Sequence, residues 1–137
     1  MSGKVFLDTN LWVYLYAKEP EIKYLKVRQI IADELDSISL STQTLGELFN
    51  VLTRKKLVAD NEAQEIILEL VSTFTIAEID TLKVIQALEI KSRYQYSYWD
   101  SLIIATALTL DCTILYSEDL HHDQLIAQKM RIVNPFA

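Results

Sequence analysis

Four acidic residues, Asp8, Glu47, Asp100 and Asp119, sit where a chain of this pattern can bring carboxylates together. Asp8 directly follows the β-rich run Val5-Phe6-Leu7. Asp119 lies just past a second such run, Thr113-Ile114-Leu115-Tyr116, in the turn Ser117-Glu118-Asp119. In open parallel sheets, ligands bind beyond the carboxyl ends of the strands, so acids in these two places are expected to face one crevice. Glu47 and Asp100 fall in the first or second turns of expected helices approaching the same edge. Carboxylate oxygens are the ligands that hard cations such as Mg²⁺ and Mn²⁺ prefer, and four of them without a neighbouring cation would repel one another. The chemistry that follows is metal-assisted hydrolysis, in which a bound ion acidifies a water and holds a phosphate.

Taken singly, each acid also has a purely structural role open to it. Asp8 precedes an expected helix and is a good N-cap. Asp100 stands three residues after Ser97, the spacing of a capping box. Glu47 reads as a solvated helix residue, and Asp119 as an ordinary turn acid. The joint pattern is what points to a site.

The elements that must position these acids alternate along the chain. Strands are expected at Lys4–Leu7, Ser37–Leu40, Phe74–Ile76, Thr113–Tyr116 and Met130–Val133. Between them, helical spacing predicts a helix from Thr9 and another over Glu21–Leu35 carrying Ile22, Leu25, Ile30, Ile31 and Leu35. Ser41-Thr42 resembles an N-cap region for a helix burying Leu45, Leu48, Phe49 and Leu52. A further helix begins near Asp60, and Asp80 is expected to cap one with Leu82, Ile85 and Leu88 inward. Ser97 is expected to cap a nearly all-apolar, and therefore central, helix through Leu110. His121–Lys129 reads as a short helix. This alternation predicts an α/β fold: a parallel, about five-stranded sheet with helices on both faces, in one domain over residues 1–137.

Composition narrows the function. The net charge of −6 disfavours stable non-specific DNA binding by a basic face, while bound cations would offset part of it. No apolar run approaches the ~20 residues that span a bilayer, so no membrane association is expected. Met1-Ser2-Gly3-Lys4 runs straight into a strand and Asp8, which does not suit a signal peptide and makes the cytoplasm the expected compartment. The single cysteine, Cys112, can form no internal disulfide and anchors no zinc site alone. Adjacent His121 and His122 would point about 100° apart on a helix, so they are read as solvent-facing rather than as paired ligands. With two glycines in the chain, Gly-x-Ser-x-Gly elbows and Gly-rich phosphate loops are absent. A receiver-like phosphoacceptor domain would want an Asp after the third strand and a Lys after the last. Here Ile76 leads into Ala77-Glu78, and the chain ends Asn134-Pro135-Phe136-Ala137.

Val5-Phe6-Leu7-Asp8-Thr9-Asn10, Thr42 to Glu47, Trp99-Asp100 through Ala107, and Leu115 to Leu120 together resemble the signature of PIN domains. In particular they are similar to the small bacterial toxins called VapC, whose closing segment resembles Arg131 to Phe136. The resemblance spans essentially the whole chain. It implies a Mg²⁺- or Mn²⁺-dependent endoribonuclease, usually a homodimer, held inactive by a VapB-type antitoxin. It also implies that Asp8, Glu47, Asp100 and Asp119 form the metal-binding catalytic quartet, with Thr9, Asn10 and Ser117 as polar groups that support them or orient RNA. Two places depart from the pattern: Asp111 stands where a turn glycine is common, and His121-His122-Asp123-Gln124 replaces a stretch that often holds glycine. Arg54-Lys55-Lys56 and Lys91 with Arg93 are available to grip phosphates or simply to cap helix C-termini. Tyr94, Tyr96, Tyr98 and Trp99, like Trp12, Tyr14 and Tyr16, could stack on bases or bury in a core or interface. A PIN-like chain that keeps its acids but only binds a partner is the alternative function.

Overall fold

A computed structural model describes residues 3–137; Met1 and Ser2, half of the opening segment weighed above, lie outside it. Strand β1 (Lys4–Leu7) leads to helices α1 (Thr9–Ala17) and α2 (Glu21–Glu34), a short 3₁₀ turn, and β2 (Ile38–Ser41). Helices α3 (Thr42–Arg54) and α4 (Asp60–Thr73) precede β3 (Thr75–Ala77), and α5 (Thr81–Tyr94) and α6 (Tyr98–Thr109) precede β4 (Cys112–Tyr116). Two last strands, β5 (Leu125–Ile126) and β6 (Met130–Val133), close the chain.

The sheet order is β3-β2-β1-β4-β6-β5, all parallel except for the antiparallel β5 at the edge. From β1 the chain steps outward through β2 to β3, then returns across to β4. Right-handed crossovers in opposite directions place their helices on opposite faces. Accordingly α1 to α4 pack on one side, where Val5, Leu7, Ile38 and Leu40 meet Leu11, Trp12, Leu48 and Leu52. On the other side Phe6, Leu115 and Ile132 meet α5 and the apolar run of α6. The alternation of Val5 and Leu7 against Phe6 is the period-two pattern of a strand covered on both faces. As expected, α6 is central: Ser101 through Ala107 are all buried.

The structure corrects three readings. His121–Lys129 is not a helix but a loop and the two-residue β5, because Asp123, Ala127 and Gln128 take left-handed φ of 68°, 51° and 57°. The Lys129 N–H donates to the Ile126 carbonyl at 2.9 Å across this reverse turn, so the parallel five-stranded sheet gains a sixth, antiparallel edge strand. Helix α5 is capped by Asp80 as expected, with the Lys83 N–H at 3.1 Å from Oδ1, but it faces inward with Lys83, Ala87 and Ile90. Leu82, Ile85 and Leu88 point outward and are more than half exposed. Likewise α2 buries Val27 and Ile30, while Ile22 and Leu25 are exposed. Asp111 supplies the left-handed residue (φ 61°) at the turn into β4, a conformation Asp tolerates better than most residues. Among the described residues no helix is long and apolar enough to cross a membrane.

Candidate active site at the carboxyl edge of the sheet

Strands β1 and β4 are neighbours, and here the chain direction across the sheet reverses, which opens a crevice beyond their carboxyl ends. The Asp8 N–H extends the ladder by donating to the Tyr116 carbonyl at 2.9 Å, so Asp8 and Ser117 emerge side by side. Asp8 N-caps α1: Oδ1 accepts from the Thr9 N–H at 2.8 Å, and Oδ2 accepts from the Ser117 hydroxyl at 2.8 Å. The capping role and a role in the crevice therefore coexist in one carboxylate.

Glu47 reaches the same place from α3, which is N-capped by Ser41, whose hydroxyl accepts from the Thr44 N–H. Burial of Leu45, Leu48 and Leu52 fixes the rotation of α3 and turns Glu47 toward α1. Its Oε1 accepts from the Thr9 hydroxyl at 2.6 Å, and its Oε2 from the Gln43 amide at 3.2 Å. Asp100 stands in the first turn of α6, where the Ser97 hydroxyl accepts from its N–H at 3.1 Å. Asp119 is held through Asn10, whose Nδ2 donates to its Oδ2 at 3.2 Å. Its N–H donates to the Ser117 hydroxyl.

All four carboxylates, with Thr9 and Asn10, line one cavity of about 460 Å³. Ser117 is wholly buried beneath it. Asp8 is nearly buried, and this desolvation pushes its carboxyl up to about 6; the bonds from Ser117 and Thr9 oppose the rise, while the charges of Asp100 and Glu47 add to it. Asp100 is also pushed up, first by burial and then by Asp119 and Glu47, against a hydrogen bond from Ser97. A crowd of acids that disfavours its own ionisation is one that a cation would stabilise.

The donor set, all hard oxygens, fits a divalent cation of the Mg²⁺ class. As placed, no three His, Cys, Asp or Glu side chains among the described residues are set to hold an ion. Each carboxylate whose bonds are given above is turned to a neutral donor: Asp8 to Ser117, Glu47 to Thr9 and Gln43, Asp119 to Asn10. The buried Asn10 Oδ1 has no partner, which leaves one further oxygen free at the cavity wall.

Besides the four acids, Thr9 and Asn10, the cavity is lined by Asn50 and Val51 of α3, by Lys55 at the C-cap of that helix and by Tyr14 of α1; Lys55 and Tyr14 are among the phosphate-gripping and base-stacking candidates read from the sequence. Asn50 and Val51 follow Glu47 by three and four positions, so helical spacing from Glu47 was the signal for them. His121 and His122 are exposed, as expected, although in a loop. The aromatic clusters divide: Trp12 is fully buried with its indole N–H on the Leu7 carbonyl, Tyr96 is buried, and Trp99 beside Asp100 is 62% exposed.

The sequence pattern of the PIN domain family matches residues 5–126. No curated protein matches the chain. Among solved structures, a chain of a toxin–antitoxin complex from Klebsiella pneumoniae is similar with a TM-score of 0.74 at 17% identity, over 96% of this chain and 98% of that one. A chain of the DNA-bound VapBC from Salmonella typhimurium gives 0.71 at 20% identity, over 95% and 96%. The Mycobacterium tuberculosis toxin VapC20, described as cleaving the sarcin–ricin loop, gives 0.67 at 19% identity, over 82% and 87%. The matched pattern runs from β1 to the end of β5, across every element that carries one of the four acids, and the chain belongs to the PIN domain family.

Proposed function

We propose that the chain is a VapC-type toxin: a cytoplasmic endoribonuclease that hydrolyses RNA phosphodiester bonds with Mg²⁺ or Mn²⁺ and is silenced by a VapB-type antitoxin. The observation that carries this reading is the convergence of Asp8, Glu47, Asp100 and Asp119, from four separate segments, on one cavity at the carboxyl edge of the sheet. The likeness in fold to VapC20 and to VapBC complexes supports it.

Asp8, Asp100 and Asp119 would hold the cation, and Glu47 would orient the attacking water or a second cation. When bound, the cation supplies charge neutralisation at the phosphate and lowers the pKa of water. The residues of the chain do the positioning. Ser117 and the Thr9 N–H hold the two oxygens of Asp8 in fixed directions, and Asn10 steadies Asp119. Thr9 and Gln43 hold Glu47. Lys55 at the cavity wall supplies a positive charge for an RNA phosphate next to the cut. Water as the nucleophile leaves a 5′-phosphate and a 3′-hydroxyl, whereas attack by the RNA's own 2′-hydroxyl would leave a cyclic phosphate.

A homodimer and an antitoxin complete the reading. The exposed row Leu82, Ile85 and Leu88, and the groove between Ile22, Leu25 and Phe136, are apolar surfaces that a partner could cover.

The test is cleavage of a pooled structured RNA by antitoxin-free protein with Mg²⁺ or Mn²⁺, beside EDTA and Asp100→Asn controls, with product ends sequenced. Metal-dependent cuts bearing 5′-phosphates and lost in the variant are the expected result. Cleavage that survives both controls would overturn the assignment, and silence in a protein that binds Mn²⁺ would favour a PIN domain that only binds.

A further inference from the structure

Gln43 lies in the first turn of α3 and is absent from the set of residues that the acids themselves suggest. Its Nε2 donates to Glu47 Oε2 at 3.2 Å, one helical turn ahead, and also to the Trp99 carbonyl at 3.1 Å in the first turn of α6. Trp99 immediately precedes Asp100. One amide therefore ties the carboxylate of Glu47 to the backbone that carries Asp100, two acids 53 positions apart in the sequence. Both partners are acceptors, which fixes which end of the amide faces them; the Oε1 left behind is buried and has no partner. Gln43 meets the site through its amide nitrogen, which touches the Glu47 carboxylate and the Trp99 carbonyl, so its part is to hold an acid. The side chain is half-buried, and a buried amide oxygen without a partner costs stability unless the geometry it accompanies is needed.

We infer that Gln43 is a positioning residue of the acidic site: with the Thr9 hydroxyl it grips both oxygens of Glu47 and sets the distance between Glu47 and Asp100. The inference rests on the reading of the four acids as a cation site. Groups that orient ligand carboxylates typically contribute about 10- to 100-fold to metal affinity when removed.

The experiment is calorimetric titration of Mn²⁺ into the wild-type chain, Gln43→Met and Gln43→Asn, with the melting temperature of each metal-free protein measured alongside. Met keeps the length and bulk without the amide, while Asn keeps the amide but falls one methylene short. Gln29→Met, an exposed glutamine on α2, is the control. Each Gln43 variant is expected to lose about tenfold or more in Mn²⁺ affinity at a near-unchanged melting temperature. Placed in a Glu47→Ala background, Gln43→Met is expected to cost nothing more, because its effect runs through Glu47. Wild-type affinity in either folded variant, or an undiminished loss in the Glu47→Ala background, would overturn the inference while leaving the cation site standing. A wild-type chain that binds no Mn²⁺ would instead overturn the site and the inference together.

Discussion

The Ser117 hydroxyl, wholly buried, donates to Asp8 Oδ2 at 2.8 Å and accepts the Asp119 N–H at 3.2 Å. One oxygen atom thus joins the end of β1 to the loop after β4 and relates two of the four acids. Ser117→Ala removes the donor from a nearly buried carboxylate and the acceptor from a backbone N–H. The expected cost is about 1–3 kcal/mol, seen as a lower urea midpoint with an unchanged slope. Mn²⁺ affinity should fall about tenfold as Asp8 loses its fixed direction. An unchanged midpoint would show that water replaces the hydroxyl without loss.

Burial and neighbouring carboxylates push Asp8 up from 3.8 to about 6, and the sign of the consequence is definite. The folded state holds this proton more tightly than the unfolded chain does. The stabilisation is therefore complete below the unfolded value and is lost as pH rises through the folded one. Acidifying the metal-free protein from pH 7 to pH 5 should strengthen it by about 1 kcal/mol through Asp8, out of about 3 kcal/mol when the titration is complete. Denaturation at the two pH values reads this. Asp8→Asn, which cannot ionise, should be more stable than wild type at pH 7 and should flatten the difference. A steeper slope in the variant would contradict the assignment.

The site was more legible in the sequence than the helices that surround it, and for a physical reason. Asp8 and Asp119 are announced by the strands directly before them, and Ser41 and Ser97 mark where α3 and α6 begin, so short-range signals suffice. The outward row Leu82, Ile85 and Leu88 has the spacing of a buried stripe, but periodicity shows only that a stripe exists, not what covers it. Strand β5 was hidden because its reverse turn uses Ala127 and Gln128 at positive φ, where glycine or asparagine is the usual signal. Gln43 was hidden because its meaning lies in the Trp99 carbonyl, a contact only the folded chain creates.

Cys112 begins β4 on the inner side of the sheet, 2% exposed, and burial pushes its thiol up to about 12. Only the thiolate reacts, so at pH 8 the native protein should be inert to a thiol-specific reagent. Labelling should proceed only through unfolding of the strand, and its rate should climb with urea in step with global denaturation. Rapid labelling without denaturant would mean that β4, and with it the platform for Ser117 and Asp119, opens independently of the rest.

Lys55 tests whether RNA enters the acidic cavity at all. The chain is acidic overall, so attraction for a polyanion must be local, and Lys55 is the cation at the cavity wall, just beyond the last turn of α3. If its ammonium neutralises one phosphate, single-stranded RNA binding should lose about 0.7 from the slope of log affinity against log salt when Lys55 becomes Ala. The variant should raise KM at low salt while leaving kcat nearly unchanged, because the charge holds substrate and transition state alike. Lys129, on the edge hairpin away from the four acids, serves as the control and should leave the slope alone. An equal loss in both variants would mean that RNA feels only the net charge; a loss confined to Lys55 would tie the backbone of the substrate to the cavity where the carboxylates meet.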